Sequence, residues 1–193
     1  MLEKKSREDI KSQKEQLVEV GIPEINIKEL DIKGMKPEAL EKELGDKNVI
    51  FIGFGDAFYL LKYARESGFD RILKKLSAQG KFIVGISAGS YILGPNIEQA
   101  TWKSHADSNW VGLADLTAAD LMPEKRFLLS AHFEEKLREY LTNGAKTTEY
   151  PVVAIKKTQA VLIEGNRIRV IGEKAEDDQF FNGFERLLQG SEV

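Results

Sequence analysis

Apolar and polar positions alternate between two periods along this chain, and the switches between them mark its elements. Leu2 to Val20 carries spaced apolar residues in a charged background and reads as a helix, with Ser6 as its N-cap and Gly21 as its stop. Ile25 to Ile32 alternates and reads as a strand. Pro37 opens a short helix to Leu44, closed by Gly45. Val49 to Gly53 is a continuous apolar run, the type buried on both faces of a parallel sheet. Helical stretches over Phe58–Glu66 and Asp70–Ala78 follow, each ending near a glycine, and then a strand over Phe82–Ile86. Ala88 to Leu93 reads as helix, Gly94 to Pro123 as irregular, Phe127 to Ala131 as strand, and Glu134 to Leu141 as helix. Val152–Ile155, Ala160–Ile163 and Arg167–Ile171 read as short strands, the last two joined through Glu164-Gly165-Asn166 as a hairpin. Strands alternating with helices imply an α/β fold with a doubly wound, mostly parallel sheet, whose site lies at the carboxyl ends of the strands. With no repeat and no linker, residues 1–193 read as one domain. Residues 173–193 form a charged tail or docking segment, in which Phe180, Phe181, Phe184, Leu187 and Leu188 suit a docking helix.

Composition narrows the chemistry. Of 193 residues, 42% are hydrophobic and 31% charged, with a net charge of −3, too small to point to nucleic acid or an anionic membrane. No apolar run is long enough for a transmembrane helix, and the N-terminus has no apolar core for a secretory signal, so a cytoplasmic protein is expected. With no cysteine, thiolate nucleophiles, disulfides and Cys-ligated metals drop out. Only two histidines are present, so no His-rich metal site is expected, and neither is a cofactor.

The most informative segment is Gly85-Ile86-Ser87-Ala88-Gly89, a G-x-S-x-G directly after an apolar strand and before a helix. That context is a nucleophile elbow: the turn pushes a Ser hydroxyl out at the carboxyl end of the sheet and aims the next N–H at a developing oxyanion. The bland alternative is a serine in a glycine-rich turn. A serine nucleophile needs a base, and His132 closes an apolar strand and opens a helix, which places it at the same sheet edge. His105, among Lys103, Ser104 and Asp107, reads as a surface loop residue.

Three separated segments resemble the dipeptidase E family of aspartyl dipeptidases and cyanophycinases. Ile52-Gly53-Phe54-Gly55-Asp56-Ala57-Phe58 is similar to that family's Gly-rich turn, Gly85–Ser90 with Gly94-Pro95 to its elbow, and Ser130-Ala131-His132-Phe133 to its Pro-His-Phe/Tyr. The resemblance implies a serine peptidase of flavodoxin-like or class I glutamine-amidotransferase-like fold. It implies Ser87 as nucleophile, His132 as base, and the N–H groups of Gly55 and Ala88 as oxyanion donors. Small peptides, among them Asp-containing dipeptides, are the implied substrates.

The chain also departs from that pattern. Phe54 stands where a glycine is usual, crowding the approach to Ser87, and Asp56 where an asparagine is usual. The places expected for the triad acid hold Lys157 and Trp102. Glu164 comes late, and Asp107 or Asp115 could substitute from the irregular segment. The likeness begins past the family's usual opening strand, which would leave a sheet edge open and invite a homodimer or a covering by the C-terminal aromatic segment. Two readings stay open: a Ser87–His132 hydrolase impaired by its missing acid, or a non-catalytic relative that binds a small molecule or a protein partner.

Overall fold

The computed structural model describes residues 2–103 and 107–188. Helix α1 (Leu2–Glu19) is followed by a 3-10 turn at Glu24–Asn26, helix α2 (Pro37–Leu44) and strand β1 (Val49–Ile52). Helices α3 (Ala57–Ser67) and α4 (Phe69–Ala78) lead into strand β2 (Phe82–Gly85), which pairs with β1 in parallel with Ile52 opposite Gly85. The short helix α5 (Ala88–Tyr91) leaves the carboxyl end of β2.

Strand β3 (Leu128–Ser130) precedes helix α6 (Arg138–Ala145) and pairs in parallel with β4 (Val152–Ala154). Strands β5 (Gln159–Glu164) and β6 (Arg167–Gly172) form the hairpin, turning at Gly165 with φ 56°. Strand β7 (Phe180–Phe181) adds antiparallel to β4. Parallel pairing thus builds two ribbons, and among the described residues antiparallel pairing occurs in the hairpin, at β7 and at an isolated bridge between Asn96 and Thr117.

The largest core cluster sits between α2, α3, α4 and the β1–β2 ribbon, with Leu40, Phe58, Leu61 and Leu73 fully buried. That burial is why α3 and α4 form where the 3.6-residue spacing predicts. Gly68, at φ 75°, then turns the chain between them. A second apolar cluster of Val153, Ile168 and Phe184 joins β4, the hairpin and the C-terminal segment.

Four expectations change. The alternating stretch 25–32 has no strand to pair with among the described residues. It carries a 3-10 turn instead, and Ile25 is 94% exposed. Alternation without a neighbour leaves the backbone hydrogen bonds to water. Ser6 lies inside α1, which already begins at Leu2, so it is not the cap. The helix expected from Glu134 starts at Arg138, after a 3-10 turn over Glu135–Leu137, because Glu134 is extended at φ −136°. The C-terminal aromatics do not form one docking helix. Phe180 and Phe181 extend the sheet, Asn182 and Gly183 at positive φ break the chain, and only Phe184–Leu187 turns as 3-10. The segment still docks, with Phe184 fully buried and stacked on Phe180.

Candidate active site

Ser87 stands between β2 and α5 at φ 53°, ψ −115°. This is a backbone state that costs a non-glycine residue on the order of 1–3 kcal/mol. Three hydrogen bonds hold the turn: the Ser87 carbonyl accepts from Ser90 N at 2.9 Å, Tyr91 N at 3.1 Å and Ser90 Oγ at 2.5 Å. The flanking glycines are set by contact. A Cβ on Gly85 would lie 2.5 Å from Gly89 O, and a Cβ on Gly89 would lie 2.2 Å from Ile52 O and 2.7 Å from Gly53 O. The ends of β1 and β2 and the start of α5 therefore touch backbone to backbone.

His132 is a second strained residue, at φ 60°. The chain around it stays fastened to β4, since Ile155 N donates to Ser130 O at 2.9 Å and Phe133 N to Ile155 O at 2.8 Å. Ser130 and Phe133 are fixed and buried, so the intervening turn carries His132 to the surface at the rim of a pocket, exposed yet partly desolvated. Asp120 has φ 47° and completes a group of three. Ser87, Asp120 and His132 all line one pocket of about 630 Å³ between β2, β3 and the hairpin. That size lies within the range of about 300–1,000 Å³ common for small-ligand sites. Of the described non-glycine residues at positive φ, Asn182 alone lies away from it. No hydrogen bond joins Ser87 and His132. Residue 105 lies outside the described residues.

Gly55, at φ 151°, follows the end of β1 beside the elbow. Neither its N–H nor that of Ala88 has a hydrogen-bond partner among the described residues. Gly55 lines the groove on the α1 side of β1 rather than the pocket at Ser87. Phe54 faces that same groove, 42% exposed, so it does not crowd Ser87 as the sequence suggested. Asp56 caps α3, accepting from Tyr59 N at 2.7 Å, and its other oxygen accepts from the Trp110 indole at 3.2 Å. The acidic residue in the turn therefore stabilises a helix start.

None of the proposed acids orients His132 by a hydrogen bond. Trp102 is a packing residue, its ring shared between the clusters around Leu128 and Leu141 and pressed on Gly144. Lys157 is exposed at the rim of the Ser87 pocket. Asp107 accepts from Ala57 N at 2.8 Å, Asp115 pairs with Arg65 at 3.1 Å, and Glu164 pairs with Arg169 at 2.5 Å. Partial burial lowers the pKa of His132, the charges of Lys103 and Lys157 lower it further, and Glu134 opposes them. Burial raises the Asp107 carboxyl.

Lys103 is the residue that sequence patterns missed. Its Nζ donates to the Ala131 carbonyl and reaches Tyr91 Oη at 3.5 Å. Burial brings its pKa down to about 8 against the pull of Asp107. A lone lysine in an irregular segment carries no periodic signal. Tyr91 could have been flagged, since it stands four residues after Ser87 on the elbow helix.

Among the described residues no group of three His, Asp or Glu side chains could hold a metal, and no helix is long and apolar enough to cross a membrane. A strained serine at a strand-to-helix turn, opening on a concave pocket, stands in a chain of the α/β class. Within that class, the chain belongs to peptidase family S51, whose pattern matches residues 4–171. Peptidase E of Shewanella denitrificans is 26% identical over 79% of this chain and 66% of its own length. An uncharacterized peptidase of Pasteurella multocida is 26% identical over 67% of this chain and 61% of its own. An uncharacterized peptidase of Listeria monocytogenes is 27% identical over 65% and 61%. The chain thus spans under two thirds of the length of these relatives. The crystal structure of a candidate peptidase E from Listeria monocytogenes superposes with a TM-score of 0.63 at 24% identity, over 76% of this chain and 70% of that one. That likeness speaks to the fold, which is flavodoxin-like, of the glutamine-amidotransferase kind.

Proposed function

We propose that this protein is a serine-type hydrolase of small peptides, with Ser87 as nucleophile and His132 as base. The observation that carries this reading is the convergence of two strained residues, Ser87 at φ 53° and His132 at φ 60°, on one pocket at the carboxyl ends of two parallel strands. Ser87 Oγ attacks the scissile carbonyl as His132 takes its proton, and the imidazolium returns that proton to the leaving amine. The free N–H of Ala88 holds the oxyanion; Gly55, the second donor that the resemblance implies, lines the neighbouring groove instead. Base and nucleophile standing apart is common in an unliganded site and closes with substrate bound. Without an orienting carboxylate, turnover falls by about 10⁴ while the oxyanion donor leaves a residual rate.

A second reading is favoured by the charges around His132. Two lysines and no hydrogen-bonded acid suit a non-catalytic relative that binds a peptide or partner in the same pocket. Fluorophosphonate labelling and hydrolysis of dipeptides beginning with Asp, measured on the wild type and Ser87→Ala, separate the two. Slow labelling and weak turnover that vanish in Ser87→Ala support the hydrolase. No labelling and no turnover leave the binding protein.

A further inference from the structure

The elbow helix and the segment carrying His132 are joined by polar contacts that the proposed chemistry does not use. Tyr91, four residues after Ser87, is buried, and its Oη accepts from Ala131 N at 3.3 Å. Lys103 Nζ donates to the carbonyl of that same Ala131 and reaches the same hydroxyl at 3.5 Å. Ala131 is thus held on both sides of its backbone, directly before a residue at φ 60°. Among the described residues Lys103 has no carboxylate within ion-pair distance, although its ammonium is largely out of water. An ammonium desolvated without a counter-ion costs stability, so its retention here calls for a role.

We propose that Lys103 is a positioning residue of the Ser87–His132 site: it fastens the peptide before His132 to the elbow helix and presents its positive charge to the imidazole. This role rests on the hydrolase reading above. The groups facing the imidazole are Lys103 from the irregular segment, Lys157 from the β4–β5 turn, and Glu134 from its own segment. Asp107 acts on the charge of Lys103, and the Tyr91 hydroxyl meets its Nζ at 3.5 Å. Two cations against one carboxylate disfavour imidazolium. The base therefore stays neutral, and able to take the Ser87 proton, at lower pH than an ordinary histidine. The price is a weaker base; the return is an imidazolium that gives its proton more readily to a leaving amine.

Proton NMR of the imidazole resonances tests this without any need for turnover. Two histidines give two titrating signals, assigned with His105→Gln. The expected result is a wild-type His132 midpoint below that of a free histidine, raised in Lys103→Met and kept low in Lys103→Arg. In parallel, the ratio of Ser87 labelling in acidic buffer to that in neutral buffer should fall roughly twofold or more in Lys103→Met, each unit of midpoint being a factor of ten. A folded Lys103→Met with an unmoved midpoint overturns the proposal, as does Lys103→Arg behaving like Lys103→Met. If the midpoint moves as expected but Ser87 never labels, the electrostatic role stands and the hydrolase reading fails.

Discussion

Gly89→Ala is the sharpest perturbation of the elbow. The added Cβ would lie 2.2 Å from Ile52 O, where ordinary contact begins near 3.4 Å, so α5 and β1 must part by 1.2 Å, the difference of the two. Neither side yields easily. Ile52 O is held by Ile86 N at 3.0 Å, and the start of α5 is held by its bonds to the Ser87 carbonyl. Overpacking against groups that cannot rotate away costs about 1–3 kcal/mol. Losing the Ile86 bond adds about 1 kcal/mol. Alanine's better helix propensity returns up to about 1 kcal/mol. The net expectation is a loss of about 1–4 kcal/mol, or roughly 2–16 °C in Tm for a chain of this size. Calorimetry and urea unfolding measure it, with Gly94→Ala as the control. A Cβ at Gly94 meets its nearest atom at 3.4 Å, an ordinary contact, so that variant should unfold with the wild type. If Gly89→Ala and Gly94→Ala melt together, the backbone contact between α5 and β1 is not as described.

Other outcomes follow from the same geometry. Lys157→Asp exchanges an exposed cation beside His132 for an acid and should speed Ser87 labelling at neutral pH; an unchanged or slower rate would count against Lys157 acting on the base. Trp102→Ala should cost about 3 kcal/mol by emptying the space over Gly144, read by urea unfolding. Trp102→Asp should be less stable still rather than more active. Lys103 sets a pH dependence of stability: its folded pKa of about 8 lies below the ordinary lysine value of 10.5, so between these the unfolded chain holds more protons and stability rises with pH. Denaturation curves across that window should therefore be flatter for Lys103→Met than for the wild type, and parallel curves would refute the assignment.

The core of this fold was legible because burial enforces its patterns. Val49–Ile52 and Phe82–Gly85 are short apolar runs that pair in parallel, and α3 and α4 end where their glycines predict. The sequence misled where a pattern needs a partner that it cannot name. Residues 25–32 alternate but meet no strand, and the C-terminal aromatics have helical spacing but add to β4 because Asn182 and Gly183 turn the chain. That Ser87 and His132 border one pocket was legible because a motif fixes one and a strand end the other. Lys103 was not, since its meaning comes only from a fold that carries residues 101–103 to the back of Ala131.

The same contrast explains how the site is held. The pocket concentrates backbone strain at Ser87, Asp120 and His132, and each strained residue is held in place by hydrogen bonds of its own or neighbouring backbone. Ser87 is pinned by its own helix, and His132 by β4 through Ser130 and Phe133. Asp120 is pinned by Gly94 O, which accepts its N–H at 2.8 Å, and by Arg126, bound to its carboxylate at 2.7 Å. Strain of this kind persists only where its surroundings over-determine it, so residues other than the three strained ones decide the site's geometry. The sensitive positions are therefore Gly89, Tyr91 and Lys103 as much as Ser87 and His132. Tyr91→Phe separates the two roles most cleanly. It keeps the ring in the core but removes the hydroxyl that accepts from Ala131 N and meets Lys103 Nζ. The variant should lose only about 1 kcal/mol of stability, while Ser87 labelling drops through looser placement of His132. A Tyr91→Phe protein that labels at the wild-type rate would show that His132 is held by β4 alone.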